Sequence, residues 1–455
     1  MAVERTGRGR GPDRRRFLAG ALGGAATLGL AGCAGFSRSS GDGGGSGGGG
    51  ASGGSTELKF VNWAGAKGDA EYDAYQKLID AFNAANPGIV VKQQSVPYAQ
   101  VSTIVDSQLQ ANTPPDIFRV SYIDIGLYTS KDVLYDLSST FSAEEAAAFT
   151  PALWEAVKYQ GKPYGVPQQT DTTALLYRTD ALAAAGITNI PKTLDQAWTW
   201  EEFAAAAAKL KKTVKGNQYP FVYDWQSAGA YRWLTWLYEA GGSLLDAGRT
   251  AAAVDSAAGR KALDFTTSFF TNGWVPRNTS VKSSTFPDAL FAAGTTAMAF
   301  AGDFLLPSIE TDVKGKFTWG AMPQPRDVKA SSDLGGNAVV ATRGGKNPEA
   351  AARFLKFLVT EQNMSAFCAA TIQLPTLRSL GGDTVTYAVR PDLMPTFIAQ
   401  STTIAPEQVA EVTVPQFGQV NTILQNVLET AFLGGKDSAS TLGALSAQLA
   451  TALRA

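Results

Sequence analysis

The chain has 455 residues, 45% hydrophobic and 17% charged, with a formal net charge of −1. That length and balance suit a globular chain with two domains, each with its own core, and provide no phosphate-neutralising stripe for a nucleic acid. The chain has no histidine, which removes Ser-His-Asp and Cys-His catalysis, histidine metal sites and the usual general base near neutral pH, while chemistry run by two carboxylates stays open.

Residues 1–33 read as an export signal. Arg14-Arg15-Arg16 leads into a Gly/Ala/Leu-rich apolar segment too short and too small-residue-rich for a membrane span. Arg14 to Leu18 resembles the twin-arginine export motif, with Asp13 where Ser or Thr is usual, and Leu30-Ala31-Gly32-Cys33 matches the bacterial lipobox. Cys33 is therefore the expected lipidation site and mature N-terminus. The other cysteine, Cys368, then has no intrachain partner, so no disulfide framework is expected and it reads as a buried small hydrophobe in a helix. Residues 34–56 are Gly/Ser-rich and read as a tether, about 25 Å end to end on average for such a composition.

The pattern from Leu58 onward alternates strand and helix. Leu58 to Asn62 is a strand with Trp63 at its exit, followed by a helix carrying Tyr75, Leu78, Ile79 and Phe82. Ile89 to Val91 is the next strand, Val101, Ile104, Val105 and Leu109 mark another helix, and Asp116 to Val120 is a strand leading to Ser121 and Tyr122. Such β-α-β-α-β order predicts a parallel sheet with Trp63 and Tyr122 leaving the same edge, the edge where open α/β sheets collect ligands.

Turn-rich Gly161 to Pro167 precedes Asp171 and a strand from Ala174 to Arg178. Thr199 and Glu202 form a capping box for an Ala-rich helix. The strand Pro220 to Trp225 includes Tyr223 and Trp225, and a helix from about Ala228 to Ala240 carries Tyr231, Trp233, Leu234, Trp236, Leu237 and Tyr238. At helical spacing these rings fall on two faces, one able to fill a core and the other to face a cleft. In Phe291 to Pro307 a helix end stopped at Gly294 is followed by a buried strand, Thr296 to Phe300, and then by Ala301-Gly302-Asp303 at the strand's C-terminal end. Asp303 there is either a ligand contact or a helix cap. Leu334 to Ala338 holds Gly336 and Asn337, where a ligand can approach backbone closely or the chain simply turns. Asn347-Pro348 caps a helix with Phe354, Leu355 and Leu358 on its apolar face.

Several of these runs, Tyr164 to Asp180, Trp198 to Ala207, Trp236 to Asp246, Phe291 to Pro307, Trp319 to Pro325, Leu334 to Ala338 and Asn347 to Thr376, resemble the sugar-binding extracellular solute-binding proteins of bacterial ABC importers, the group that includes maltose-binding protein. The resemblance covers essentially everything after the tether. It implies an α/β fold of two lobes with a hinge and a ligand cleft, the first lobe from 57–170 and 302–345 and the second from 171–301 and 346–455. It further implies a monomer that holds a sugar or oligosaccharide in the cleft for the permease transmembrane subunits, anchored through lipid on Cys33 to the outer face of the cytoplasmic membrane, with no cofactor, metal or nucleic acid. The ligand residues expected are Trp63, Tyr122, Asp171, Tyr223, Trp225, Trp233, Asp303, Gly336 and Asn337. A carbohydrate suits this set because Trp and Tyr pair a flat apolar face with a polar edge. The alternative is a lipid-anchored hydrolase in which Asp171 and Asp303 flank a scissile bond.

Overall fold

The computed structural model describes residues 55–454 apart from Gln226, Ser284 and Asp383, so the export signal and Cys33 lie outside the described residues. Besides a small hairpin of Lys158–Tyr159 and Lys162–Pro163, nine strands among the described residues build two larger sheets: β1 Thr56–Asn62, β2 Ile89–Ser95, β3 Ile117–Ser121, β4 Gly165–Gln169, β5 Thr173–Arg178, β6 Tyr219–Val222, β7 Thr296–Gly302, β8 Trp319–Met322 and β9 Asn337–Ala341. The first sheet has the order β2-β1-β3-β9-β4 and the second β8-β5-β7-β6.

In the first sheet β1 is parallel to β2 and β3, as the β-α-β-α-β pattern predicts, while β9 runs antiparallel to both β3 and β4. Helix Ala70–Ala85 lays Tyr75, Leu78, Ile79 and Phe82 on this sheet. In the second sheet β7 is central, antiparallel to β5 and parallel to β6, and all seven of its residues are buried. A strand covered on both faces needs no polar alternation, which is why this stretch reads as an unbroken apolar run. The capping box of Thr199 and Glu202 forms, with N–H to oxygen distances of 3.2 and 2.8 Å, and Asn347 caps its helix by accepting from the Ala350 N–H.

Two expected placements differ. The chain was expected to return to the first lobe at 302, but β8 pairs with β5, so the return runs through 323–336. Helices Pro348–Leu358 and Glu361–Thr371, expected with the second lobe, pack on the first sheet and on helix Ala70–Ala85: the Phe354 ring meets Phe60 at 5.9 Å and Phe82 at 5.0 Å, and Phe367 meets Tyr75 at 4.7 Å. Amphipathicity shows that a helix has an apolar face, and the face itself does not say which sheet it covers. Further on, helix Phe417–Phe432 packs against Ala257–Thr271 and 227–233, and it also touches Tyr122–Ser130. Cys368 is a free, fully buried thiol in helix Glu361–Thr371.

Candidate functional site

The C-terminal ends of β1 and β3, the crossing chain after β4 and the start of β9 converge on a cavity of about 450 Å³. Trp63, Arg119, Tyr122, Asp171, Gly336 and Asn337 line it from these elements, and Tyr231, Arg232, Phe286 and Phe304 line it from the side of the second sheet. A smaller compartment of about 200 Å³ adjoins it, sharing Trp63, Tyr98, Arg119 and Ser121 and reaching Asp124.

Arg119 organises the floor. It is 2% exposed, its Nη2 lies 2.8 Å from Glu71 Oε1, and its guanidinium sits 4.3 Å from the centre of the Trp63 ring. Cation–π contact and ion pair together hold both the indole and the arginine in place. Asn337 extends the network: oriented to satisfy both ends of its amide, its oxygen accepts from Arg119 Nη2 at 3.1 Å and Gln169 Nε2 at 2.7 Å, and its nitrogen donates to the Gly336 carbonyl at 3.1 Å. Tyr122 donates to the Gln169 carbonyl at 2.7 Å. Trp63 also meets the Tyr98 ring edge-on at 5.5 Å, and Tyr98 is 48% exposed at the rim.

Opposite lies a second buried arginine. Arg232 donates through Nε to Asp333 Oδ2 at 3.1 Å, keeps Asp224 Oδ2 at 3.8 Å from Nη1, and stacks 5.4 Å from the Tyr231 ring. Burial pushes the Asp224 carboxyl up to about 6, with Arg232 opposing. Asp171 faces the cavity half-buried; burial raises its carboxyl to about 7, Arg232 pulling it back and Asp333 adding to the rise.

Gly335 and Gly336 are explained by the crossing chains. A Cβ on Gly335 would stand 2.2 Å from Asp171 Oδ1, and one on Gly336, whose φ is +94°, would stand 2.5 Å from Thr170 Cα. Thr170 Oγ1 donates to the Gly335 carbonyl at 2.9 Å, tying the two crossings together. The glycines are needed for backbone passing backbone as well as for access to the cavity.

Trp63, Tyr122, Asp171, Gly336 and Asn337 are thus brought together. Tyr223, Trp225, Trp233 and Asp303 do not line the cavity, and none is more than 2% exposed. Tyr223 packs between Trp225 at 4.1 Å and Phe300 at 4.6 Å, Trp225 also meets Phe432 at 5.3 Å, and Trp233 donates its indole N–H to Thr266 Oγ1 at 3.1 Å. These rings are second-lobe core because the interior there needs large apolar volumes more than the cavity does. Asp303 accepts the Thr172 N–H at 2.8 Å, so it braces the first crossing, and its carboxyl is pushed well up by burial and then by the charge of Asp171.

Sequence reasoning missed Glu71, Tyr98, Arg119 and Arg232. Two of them carried a signal: Arg119 interrupts the apolar run Ile117 to Val120, and Arg232 sits between Tyr231 and Trp233, each an ionised group where burial demands a partner. Among the described residues no group of His, Cys, Asp and Glu has metal-site geometry, and no helix is long and apolar enough to cross a membrane.

Residues 65–365 match the family model described as bacterial extracellular solute-binding protein. The chain is 21% identical to the galactooligosaccharide-binding protein of Bacillus subtilis over 366 residues, 78% of this chain and 80% of that one. Among solved structures, an ABC transporter solute-binding protein of Thermotoga lettingae bound to alpha-D-tagatose superposes with a TM-score of 0.71 at 23% identity, covering 88% of this chain and 100% of that one. An ABC substrate-binding protein of Listeria monocytogenes in complex with cycloalternan gives a TM-score of 0.73 at 20% identity, covering 88% and 99%. At these identities the structural likeness is one of fold, and it is the two-lobed binding-protein fold.

Proposed function

Because the chain belongs to the bacterial extracellular solute-binding proteins, we propose that it captures a sugar or oligosaccharide between its two lobes and delivers it to the membrane permease of an ABC importer. The observation that carries this reading is a cavity walled from both sides, by Trp63, Arg119 and Asn337 on one and Tyr231, Arg232 and Phe304 on the other. A ligand that touches both walls binds the closed arrangement better than the open one, and that difference drives closure. Trp63 and Tyr98 offer flat faces for a pyranose, and the arginines and Asp171 offer donors and an acceptor for its hydroxyls. The proposed ligand residues are Trp63, Tyr122, Asp171, Gly336 and Asn337, now joined by Tyr98, Arg119 and Arg232. We assign the lipid anchor to Cys33 on the Leu30-Ala31-Gly32-Cys33 motif, which places the lobes outside the cytoplasmic membrane.

Asp303 does not serve the hydrolase alternative as its second carboxylate. Asp303 is fully buried with its Oδ1 on the Thr172 N–H, so Asp171 faces the cavity without it. Calorimetric titration of the purified protein against mono- and oligosaccharides tests the reading, with the ligand recovered and analysed afterwards. Saturable binding with the sugar returned intact is the expected result; cleaved sugar would make the protein an enzyme.

A further inference from the structure

The charges around the cavity do not balance. Arg119 is paired with Glu71 at 2.8 Å and Arg232 with Asp333 at 3.1 Å, with Asp224 a further carboxylate 3.8 Å from Arg232. Asp171 is left over: it lines the cavity, and its carboxylate makes no hydrogen bond or salt bridge within the described residues. Arg119 is 2% and Arg232 7% exposed, and the Nη1 of each is a buried donor without a hydrogen-bond partner among the described residues.

A ligand made only of hydroxyls can donate to Asp171, yet it leaves that anion enclosed in a group where Glu71, Asp171, Asp224 and Asp333 outnumber Arg119 and Arg232. That anion would then take up a proton or bear the cost of desolvation. A ligand carrying an ammonium group brings the missing charge itself, and the aromatic wall of Trp63, Tyr98, Tyr122 and Tyr231 adds attraction for a cation. The two arginines act on Asp171 without cancelling the surplus, because each is paired at close range with a carboxylate of its own. An anionic sugar would meet the surplus with the wrong sign.

Resting on the sugar-binding reading, we propose that the ligand is an amino sugar, or an oligosaccharide containing one, whose protonated amine pairs with Asp171. An N-acetylated sugar of the same shape lacks the charge and gains nothing from Asp171.

The test titrates the purified full chain with matched sugars that differ at one substituent: glucose against glucosamine, galactose against galactosamine, and cellotriose against the glucosamine trimer and its N-acetylated form. In at least one set the amine binds about tenfold or more tighter than both its hydroxyl and its acetamide counterparts, the increment of a charge-assisted hydrogen bond. Asp171→Asn, checked for folding by its thermal transition, brings the amine to within about twofold of the hydroxyl sugar. Should that variant fail to fold, the wild-type preference for amine over acetamide and its weakening in high salt decide the matter. Hydroxyl sugars binding as tightly as amines throughout, or a preference that survives Asp171→Asn, would overturn the amine inference and leave the sugar reading standing. Binding by no sugar of any kind would overturn both.

Discussion

Trp236 and Trp63 are the same residue put to opposite uses by two regions of one chain. Trp236 is 1% exposed and its ring lies 5.4 to 6.5 Å from those of Phe203, Phe265, Phe269, Phe300, Tyr223 and Trp200, a cluster that fills the second lobe. Trp63 is half-buried, held by the Arg119 guanidinium and the edge of Tyr98, beside a cavity of about 450 Å³. Aromatic density alone therefore reports how much apolar surface a lobe has to bury. A ligand wall is marked by something else: an aromatic ring beside buried charge whose hydrogen-bonding capacity is not used up.

The sharpest way to break that contrast is Trp236→Ala, which leaves a large void among rings and is expected to cost about 3–5 kcal/mol of stability. The denaturant midpoint should fall steeply while affinity per folded molecule stays unchanged; weakened binding at full stability would mean the cluster is a ligand wall after all. Gly336→Ala comes next. The new Cβ would press on Thr170 Cα at 2.5 Å with φ at +94°, so a loss of about 1–3 kcal/mol is expected together with weaker binding, because the two crossing chains must part. Trp63→Ala should act in the reverse sense to Trp236→Ala, with affinity falling about tenfold, close to 1.4 kcal/mol, and a smaller change in midpoint.

The smallest effect belongs to the side compartment. Burial, with Asp106 adding, holds the Asp124 carboxyl up at about 6. The folded chain keeps that proton to a higher pH than the unfolded chain does, so this group's contribution to stability is full below about pH 4 and is lost as pH rises through about 6. Asp124→Asn should flatten that decline, read as urea midpoints measured from pH 4 to 7.

What was legible in the sequence was local. The parallel strands β1, β2 and β3 with Trp63 and Tyr122 at one edge, the capping box of Thr199 and Glu202, and the buried strand beginning at Thr296 each follow from periodicity or capping chemistry within a few residues. Asp171 and Asn337 were chosen on the family resemblance of the runs that hold them, and both line the cavity.

Tertiary structure decided the rest, for one physical reason: a side chain's role depends on which distant surface it meets. Arg119 became the cavity floor because Glu71, 48 positions earlier, and Asn337, 218 positions later, arrive beside it. Asp303 became a brace because the Thr172 N–H lies 131 residues away in sequence and 2.8 Å away in space. Helix Pro348–Leu358 joined the first sheet because Phe354 found Phe60 and Phe82 there. Apolar periodicity fixes that a face must be covered, and only the folded chain selects what covers it.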